Sequence, residues 1–136
     1  MKILCIGDLN ADLLLPYGEA KRKVQNKNID QSKPSEVTFQ GGGSVANTAR
    51  ILGKLEQNPY FVTDLCDDSI GSFLKEEMEQ MGVDMSLSVL GNNKAIVCIA
   101  VVEEDGDRII FPWSPPQATL PRFSKHSFEK IPMDDY

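Results

Sequence analysis

Three consecutive glycines, Gly41 to Gly43 within "FQGGGSVANTAR" (39–50), constrain this chain more than any other feature. Glycine loses more backbone freedom on ordering than any other residue, so a triple run weakens strand and helix alike. Such a run is tolerated where something must come so close to the main chain that no side chain fits. It stands directly ahead of a helix-forming stretch. A phosphate, a dinucleotide and a sugar are the candidates for the close approach, and the rest of the chain must choose between them.

The flanking segments set the architecture. "KILCIG", Lys2 to Gly7, is a short apolar run suited to a strand buried on both faces of a parallel sheet. In "DLNADLLLP" the polar Asp8, Asn10 and Asp12 alternate with Leu9, Ala11 and Leu13, the period of an extended segment with one polar face. Pro16 to Pro34 is polar and reads as a mobile connection, and "EVTFQ" (36–40) as a strand leading into the glycines. After them, Val45, Ala46, Ala49, Leu52 and Leu55 form the apolar stripe of a helix ending near Leu55. "YFVTDL" (60–65) is another buried strand. Asp67, Asp68 or Ser69 caps a second helix with the stripe Ile70, Phe73, Leu74, Met78 and Met81, stopped by Gly82. Strand–helix–strand–helix predicts a parallel α/β sheet.

The pattern then changes. "AIVCIAVV" (95–102) and "RIIFPW" (108–113) flank "EEDGD", and Asp105-Gly106 signals a hairpin closed by a type I′ turn. An antiparallel hairpin inside an α/β chain implies a small appended sheet.

Composition removes several classes of function. The formal charge is −6 and no stretch concentrates Lys and Arg, "KRK" at 21–23 reading as a solvated loop, so nucleic acid is not expected as a partner. No apolar run approaches the roughly 20 residues of a membrane helix, and "MKILCIGD" is too soon interrupted to be a signal peptide. Cys5, Cys66 and Cys98 are far apart and there is one histidine, His126, which fits three buried thiols in a reducing cytoplasm better than a zinc site.

Three motifs compete for the chemistry. The glycine run lacks the lysine of a Walker loop, but Gly41-x-Gly43-x-x-Ala46 fits a loose dinucleotide fingerprint, with Asp64 where a ribose-binding carboxylate would be sought. Against it, the first strand leads into "GDLNAD" rather than into the glycines. Asp8, Asn10, Asp12 and Glu19 have the spacing of calcium-loop ligands, but Leu13 occupies the position that needs glycine. "EDGD" (104–107) carries a catalytic-looking carboxylate that turn chemistry explains.

"GDLNAD" after the first strand, "GGGSVANTARILGKL" and "TDLCDDSIGSFLKEEMEQMGVD" occur together in order, and over residues 1 to about 113 the chain resembles the N-terminal portion of ribokinase-like (PfkB-type) carbohydrate kinases. The resemblance implies a ribokinase-like α/β fold, here its N-terminal half, with a small antiparallel β-sheet lid formed by segments at about 13–40 and 95–113. It assigns Asn10, Asp12, Gly42, Gly43 and Asn47 to the sugar site. Physical chemistry agrees. Asn10 and Asp12 lie on one face of an extended segment and can grip adjacent hydroxyls, while hydrogen bonds to a charged partner contribute roughly 1.5–3 kcal/mol each. Gly42 and Gly43 would let the sugar ring approach the backbone. Asn47 projects from the first turn of a helix, where asparagine is a poor former.

Two departures stand out: Cys66 replaces the usual glycine before the Asp-Asp pair, and "SPPQATL" replaces a Gly-Ala-Asn-like stretch after the hairpin. Ile96, Cys98 and Phe111 are equal candidates for an apolar lid contact to the sugar. In the family a Gly-Ala-Gly-Asp-type motif supplies the base, and the pocket for ATP lies beside it. Neither is found in residues 1–136, so the chain is expected to be the substrate-and-lid half of an ATP-dependent sugar kinase, inactive alone. The complete enzyme would use Mg-ATP as co-substrate, with a homodimer through the lid sheet as a further expectation. A non-catalytic sugar- or nucleoside-binding module and a dinucleotide-binding domain are the alternatives.

Overall fold

A computed structural model describes residues 2–16, 37–91, 94–103, 105–114 and 125–135. The apolar run near the N-terminus forms β1 (Leu4–Ile6). It pairs in parallel with β4 (Tyr60–Val62), Leu4 opposite Tyr60 and Ile6 opposite Val62. A parallel bridge joins Tyr60 to Asp84, and β5 (Asp64–Leu65) pairs in parallel with β6 (Val89–Leu90). The expected single strand over 60–65 is therefore interrupted at Thr63. The Ser88 hydroxyl causes the break: it accepts the Thr63 N–H at 3.2 Å and donates to the Phe61 carbonyl at 2.8 Å, taking the place of a main-chain partner.

Two helices cover this sheet. α1 (Ser44–Lys54) turns Ala46 and Ala49 fully inward, and the small side chains let it lie close to Phe61 and Cys5. The predicted stripe is partly corrected. Leu52 packs on the core, but Leu55 is exposed and the charged Arg50 is buried on the inner face, because it finds partners there. α2 (Ser69–Gln80) is capped by Asp68, whose carboxylate accepts the Gly71 N–H at 2.7 Å. Leu74 and Met78 are fully buried, and Ile70, Phe73 and Met81 pack beside them. Burying a side chain such as Phe61, Leu74 or Met78 contributes about 1.5–3 kcal/mol.

The appended sheet has four strands, β2 (Asn10–Pro16), β3 (Thr38–Gly42), β7 (Val97–Val102) and β8 (Arg108–Trp113), in the order β3-β2-β7-β8. Both outer pairings are antiparallel, as expected, but the central β2–β7 pair is parallel. β2 follows β1 and β7 follows β6, so both leave the same end of a parallel sheet and run outward side by side. The hairpin also differs in its turn. Gly106 takes φ +89 and its N–H closes the turn as the fourth residue, so Asp105-Gly106 is not the central pair of a type I′ turn. The Gly106 N–H reaches the Glu103 carbonyl at 3.1 Å, and the Glu103 N–H reaches that of Asp107 at 2.7 Å, the bonding of a longer loop with glycine at its left-handed position.

Sequence patterning did not reveal α3 (Lys125–Glu129), whose buried Ser127 donates a hydrogen bond to the Asp64 carboxylate. The polar connection after Pro16 and the "PPQATL" part of the atypical stretch lie outside the described residues.

Candidate functional site

Each of the three glycines is bare for a different reason, and in each case the group that approaches belongs to the protein itself. A Cβ on Gly41 would overlap the Arg50 guanidinium and the Glu77 carboxylate, and one on Gly42 would overlap the Asp12 carboxylate. Gly43 has φ +107, and a Cβ there would strike the Asp8 carbonyl oxygen. The triple glycine is thus a place where β2, β3, α1 and α2 converge. It lets side chains from three of them gather around one turn of backbone.

Asp12 and Asn10 share one face of β2, and the Asn10 amide donates to Asp12 Oδ1 at 2.7 Å. Asn10 sits across the ladder from Gly42 and Asp12 across from Gln40, so the Asp12 carboxylate leans along the strand over Gly42. Partial burial pushes the Asp12 carboxyl above its usual range, opposed by the Asn10 hydrogen bond and the charge of Arg50. Beneath it, Arg50 is forked. Nη1 donates to Asn47 Oδ1 at 2.8 Å and Nη2 to Glu77 Oε2 at 2.9 Å. Glu77 also accepts the Gly41 N–H with both oxygens, at 3.1 and 3.2 Å.

Asp12 and Asn47 open into one cleft of about 380 Å³ under the appended sheet. Its wall includes Gln40 and the apolar Leu14, Cys98, Ala100, Val102 and Ile110, with Arg108 at the rim of the hairpin. Register explains the set: Cys98 is paired with Asp12, Ala100 with Ile110 and Val102 with Arg108, so all face the same side. Of the three residues expected to compete for the apolar contact, Cys98 lines the cleft; Ile96 and Phe111 do not. Cys98 is half-buried rather than buried, and burial, then the charge of Asp12, raises its thiol above the usual range. The structure therefore brings Asp12 and Asn47 together at the cleft and attaches Asn10 to it through Asp12. Gly42 and Gly43 serve as space for protein groups instead of lining the cleft.

The competing motifs lose their geometry. The strand before the glycines, β3, is antiparallel to β2 and belongs to the small sheet, and Asp64 is engaged by Ser127, so the dinucleotide fingerprint lacks its parallel strand and its free carboxylate. Asn10 and Asp12 lie in a strand and bond to each other instead of bending around a cation. Among the described residues no group of three or more His, Cys, Asp or Glu side chains is placed to hold a metal ion. Sequence reasoning missed Arg50 and Glu77. The one available signal was the spacing of Asn47 and Arg50 by three in a helix; the pairing with Glu77, 27 residues on, is purely tertiary.

The model of the pfkB family of carbohydrate kinases matches residues 1–130. The chain belongs to this family. The match runs past the hairpin into α3, beyond the segment whose motifs carry the likeness. Among pfkB relatives, the ATP-dependent ribose-1-phosphate kinase of Halopiger xanaduensis (strain DSM 18323 / JCM 14033 / SH-6) is 26% identical over 108 residues, 79% of this chain and 35% of that protein. The crystal structure of fructokinase from Xylella fastidiosa aligns over 95% of this chain and 38% of that one, with TM-score 0.68 and 25% identity. Ribokinase from Thermotoga maritima aligns over 83% and 36%, with TM-score 0.63 and 21% identity, which speaks to the fold. The chain thus spans about a third of the length of the curated pfkB relative it matches. Its parallel sheet, two covering helices and four-stranded appended sheet are the ribokinase-like fold.

Proposed function

We propose that residues 1–136 form the sugar-holding wall and lid of an ATP-dependent carbohydrate kinase, an enzyme that moves the γ-phosphate of Mg-ATP to a sugar hydroxyl. The observation that carries this reading is that the Asp12 carboxylate and the Asn47 amide face one cleft of about 380 Å³ beneath a small sheet. A carboxylate held by a neighbouring amide accepts hydroxyl protons as hydrogen bonds, and the apolar strip of Cys98, Ala100, Val102 and Ile110 suits the C–H face of a sugar ring. Asp12 anchors and orients the sugar and does not act as the base, which the family resemblance assigns to a Gly-Ala-Gly-Asp segment outside these residues. Phosphoryl transfer depends on positioning and on stabilising charge at the phosphoryl group, and nothing in residues 1–136 is assigned to that task. The names of the relatives make ribose, ribose phosphates and fructose the first substrates to test.

Three free thiols fit a reducing cytoplasm. The outer face of β8 supports a homodimer through the lid.

Calorimetry with these sugars and with ATP tests the reading. Asp12→Ala is expected to abolish sugar binding in the kinase while sparing ATP, and unchanged sugar affinity removes Asp12 from the site. Residues 1–136 alone are expected to show no sugar-dependent ATP turnover in a coupled assay. Reading the gene past the Tyr136 codon separates the alternatives: an in-frame Gly-Ala-Gly-Asp segment supports a kinase, and sugar binding without any such continuation supports a non-catalytic module.

A further inference from the structure

We propose that Arg50 and Glu77 are positioning residues that fix which face of the Asn47 amide the cleft presents, and that the site therefore reads one substrate oxygen as a hydrogen-bond acceptor. The proposal rests on the sugar-site reading above and deepens it.

An asparagine amide can offer either its oxygen or its NH₂, and only its surroundings decide. Arginine has donors and no acceptor, so the 2.8 Å contact of Arg50 Nη1 with Asn47 commits the amide oxygen inward. The Asn47 NH₂ is left for the cleft, where Asn47 is exposed. Asp12 is the counterpart. Asn10 occupies its Oδ1, leaving Oδ2 as an acceptor. Asp12 and Asn47 thus present an acceptor beside a donor to the cleft, the pattern that matches two neighbouring hydroxyls of a polyol, one donating and one accepting.

Arg50 is itself held. Its second Nη bonds Glu77 on α2, and Glu77 also takes the Gly41 N–H, tying the glycine turn to the same carboxylate. The arrangement is an unusual choice for mere packing. Arg50 is buried and its Nε has no partner among the described residues, whereas apolar residues replacing a buried ion pair are often no less stable. A planar fork is what the task needs, because two fixed donors can bind Glu77 and Asn47 at once and a lysine ammonium cannot do so in the same plane.

The test uses the purified protein, the tighter binder of D-ribose and D-fructose, and a set of its monodeoxy analogues, with dissociation constants from calorimetry. Wild type is expected to bind one analogue about tenfold more weakly than the parent, since one hydrogen bond contributes about that factor. Arg50→Lys keeps the charge and the pairing with Glu77. It is expected to bind the parent about tenfold more weakly while leaving that same analogue unchanged, so the discrimination disappears. Arg50→Met with Glu77→Gln, which removes both charges, is expected to do the same with a cooperative thermal transition. Undiminished affinity in Arg50→Lys, or parallel weakening of the parent and every analogue, overturns the positioning role. Asp12→Asn separates the two levels: if it abolishes sugar binding and Arg50→Lys does not alter discrimination, only this inference fails. If neither sugar binds, or Asp12→Asn is without effect, the sugar-site reading itself falls.

Discussion

The carboxylate of Asp12 occupies the space that a side chain on residue 42 would need, so Gly42 and Asp12 behave as one unit across the β2–β3 ladder. Gly42→Ala is expected to push the carboxylate off its bond with Asn10. Because Asp12 can swing toward the cleft, the stability cost should stay near the lower end of the about 1–3 kcal/mol typical of overpacking, while sugar affinity falls at least tenfold. Thermal melts and calorimetry on one preparation measure both; a large loss of stability with intact binding contradicts the coupling.

Gly43 has no such freedom. Its φ of +107 and the Asp8 carbonyl beside it are both backbone features. Gly43→Ala should therefore cost more than Gly42→Ala, about 1–3 kcal/mol from the backbone conformation alone, with a contribution from the contact in addition. Denaturant titration of the two variants gives the order directly.

The raised pKa of Asp12 makes a statement about pH. The folded state holds the Asp12 proton more tightly than the unfolded chain, chiefly through burial. Ionising Asp12 therefore costs stability as pH rises through its folded value, and below the unfolded value of about 3.9 the group contributes nothing. Asp12→Asn should melt higher than wild type at pH 7, with the gain vanishing below roughly pH 4, even as it loses the sugar. A lower melting point at pH 7 would show that the Asn10 and Arg50 contributions win instead.

Asp68 joins α2 to the appended sheet, since one oxygen caps Gly71 N–H at 2.7 Å and the other accepts the Ala95 N–H just before β7 at 2.8 Å. Asp68→Ala should cost about 1–2 kcal/mol for the cap alone. It should also accelerate amide exchange in β7, whereas Asp68→Asn keeps one acceptor and loses less.

On the outer face of β8, Ile109, Phe111 and Trp113 are 51%, 54% and 55% exposed. Pro112 lacks an N–H on this edge strand and blunts strand-to-strand addition, so face packing is the more favourable mode of association. Sedimentation should show concentration-dependent dimerisation that Phe111→Lys weakens, and an unchanged monomer in both proteins excludes this face.

Much of the frame was legible because it follows from periodicity. The run 2–7 had to hold a strand, which forms over Leu4–Ile6 with Cys5 buried and its neighbours half-buried, 44–54 and 69–80 had to be helices, and Asp68 and Gly82 mark the limits of the second. The alternation of Asn10 and Asp12 placed both on one face of β2, and the hairpin at 97–113 announced a second sheet. The parallel β2–β7 pairing, the break at Thr63 and the burial of Arg50 were not legible. Each depends on a partner far along the chain: the common exit edge of two strands, the hydroxyl of Ser88, and the carboxylate of Glu77.

The site divides in the same way. Local spacing and the order of three motifs determined that an amide and a carboxylate would stand near a bare stretch of backbone, because side-chain direction in strands and helices repeats with fixed periods. What fills that bare stretch was decided only when β2, β3, α1 and α2 came together. The glycines are open to Asp12, to Arg50 with Glu77, and to the Asp8 carbonyl, since close packing settles which atoms share a space and no one-dimensional pattern encodes that choice.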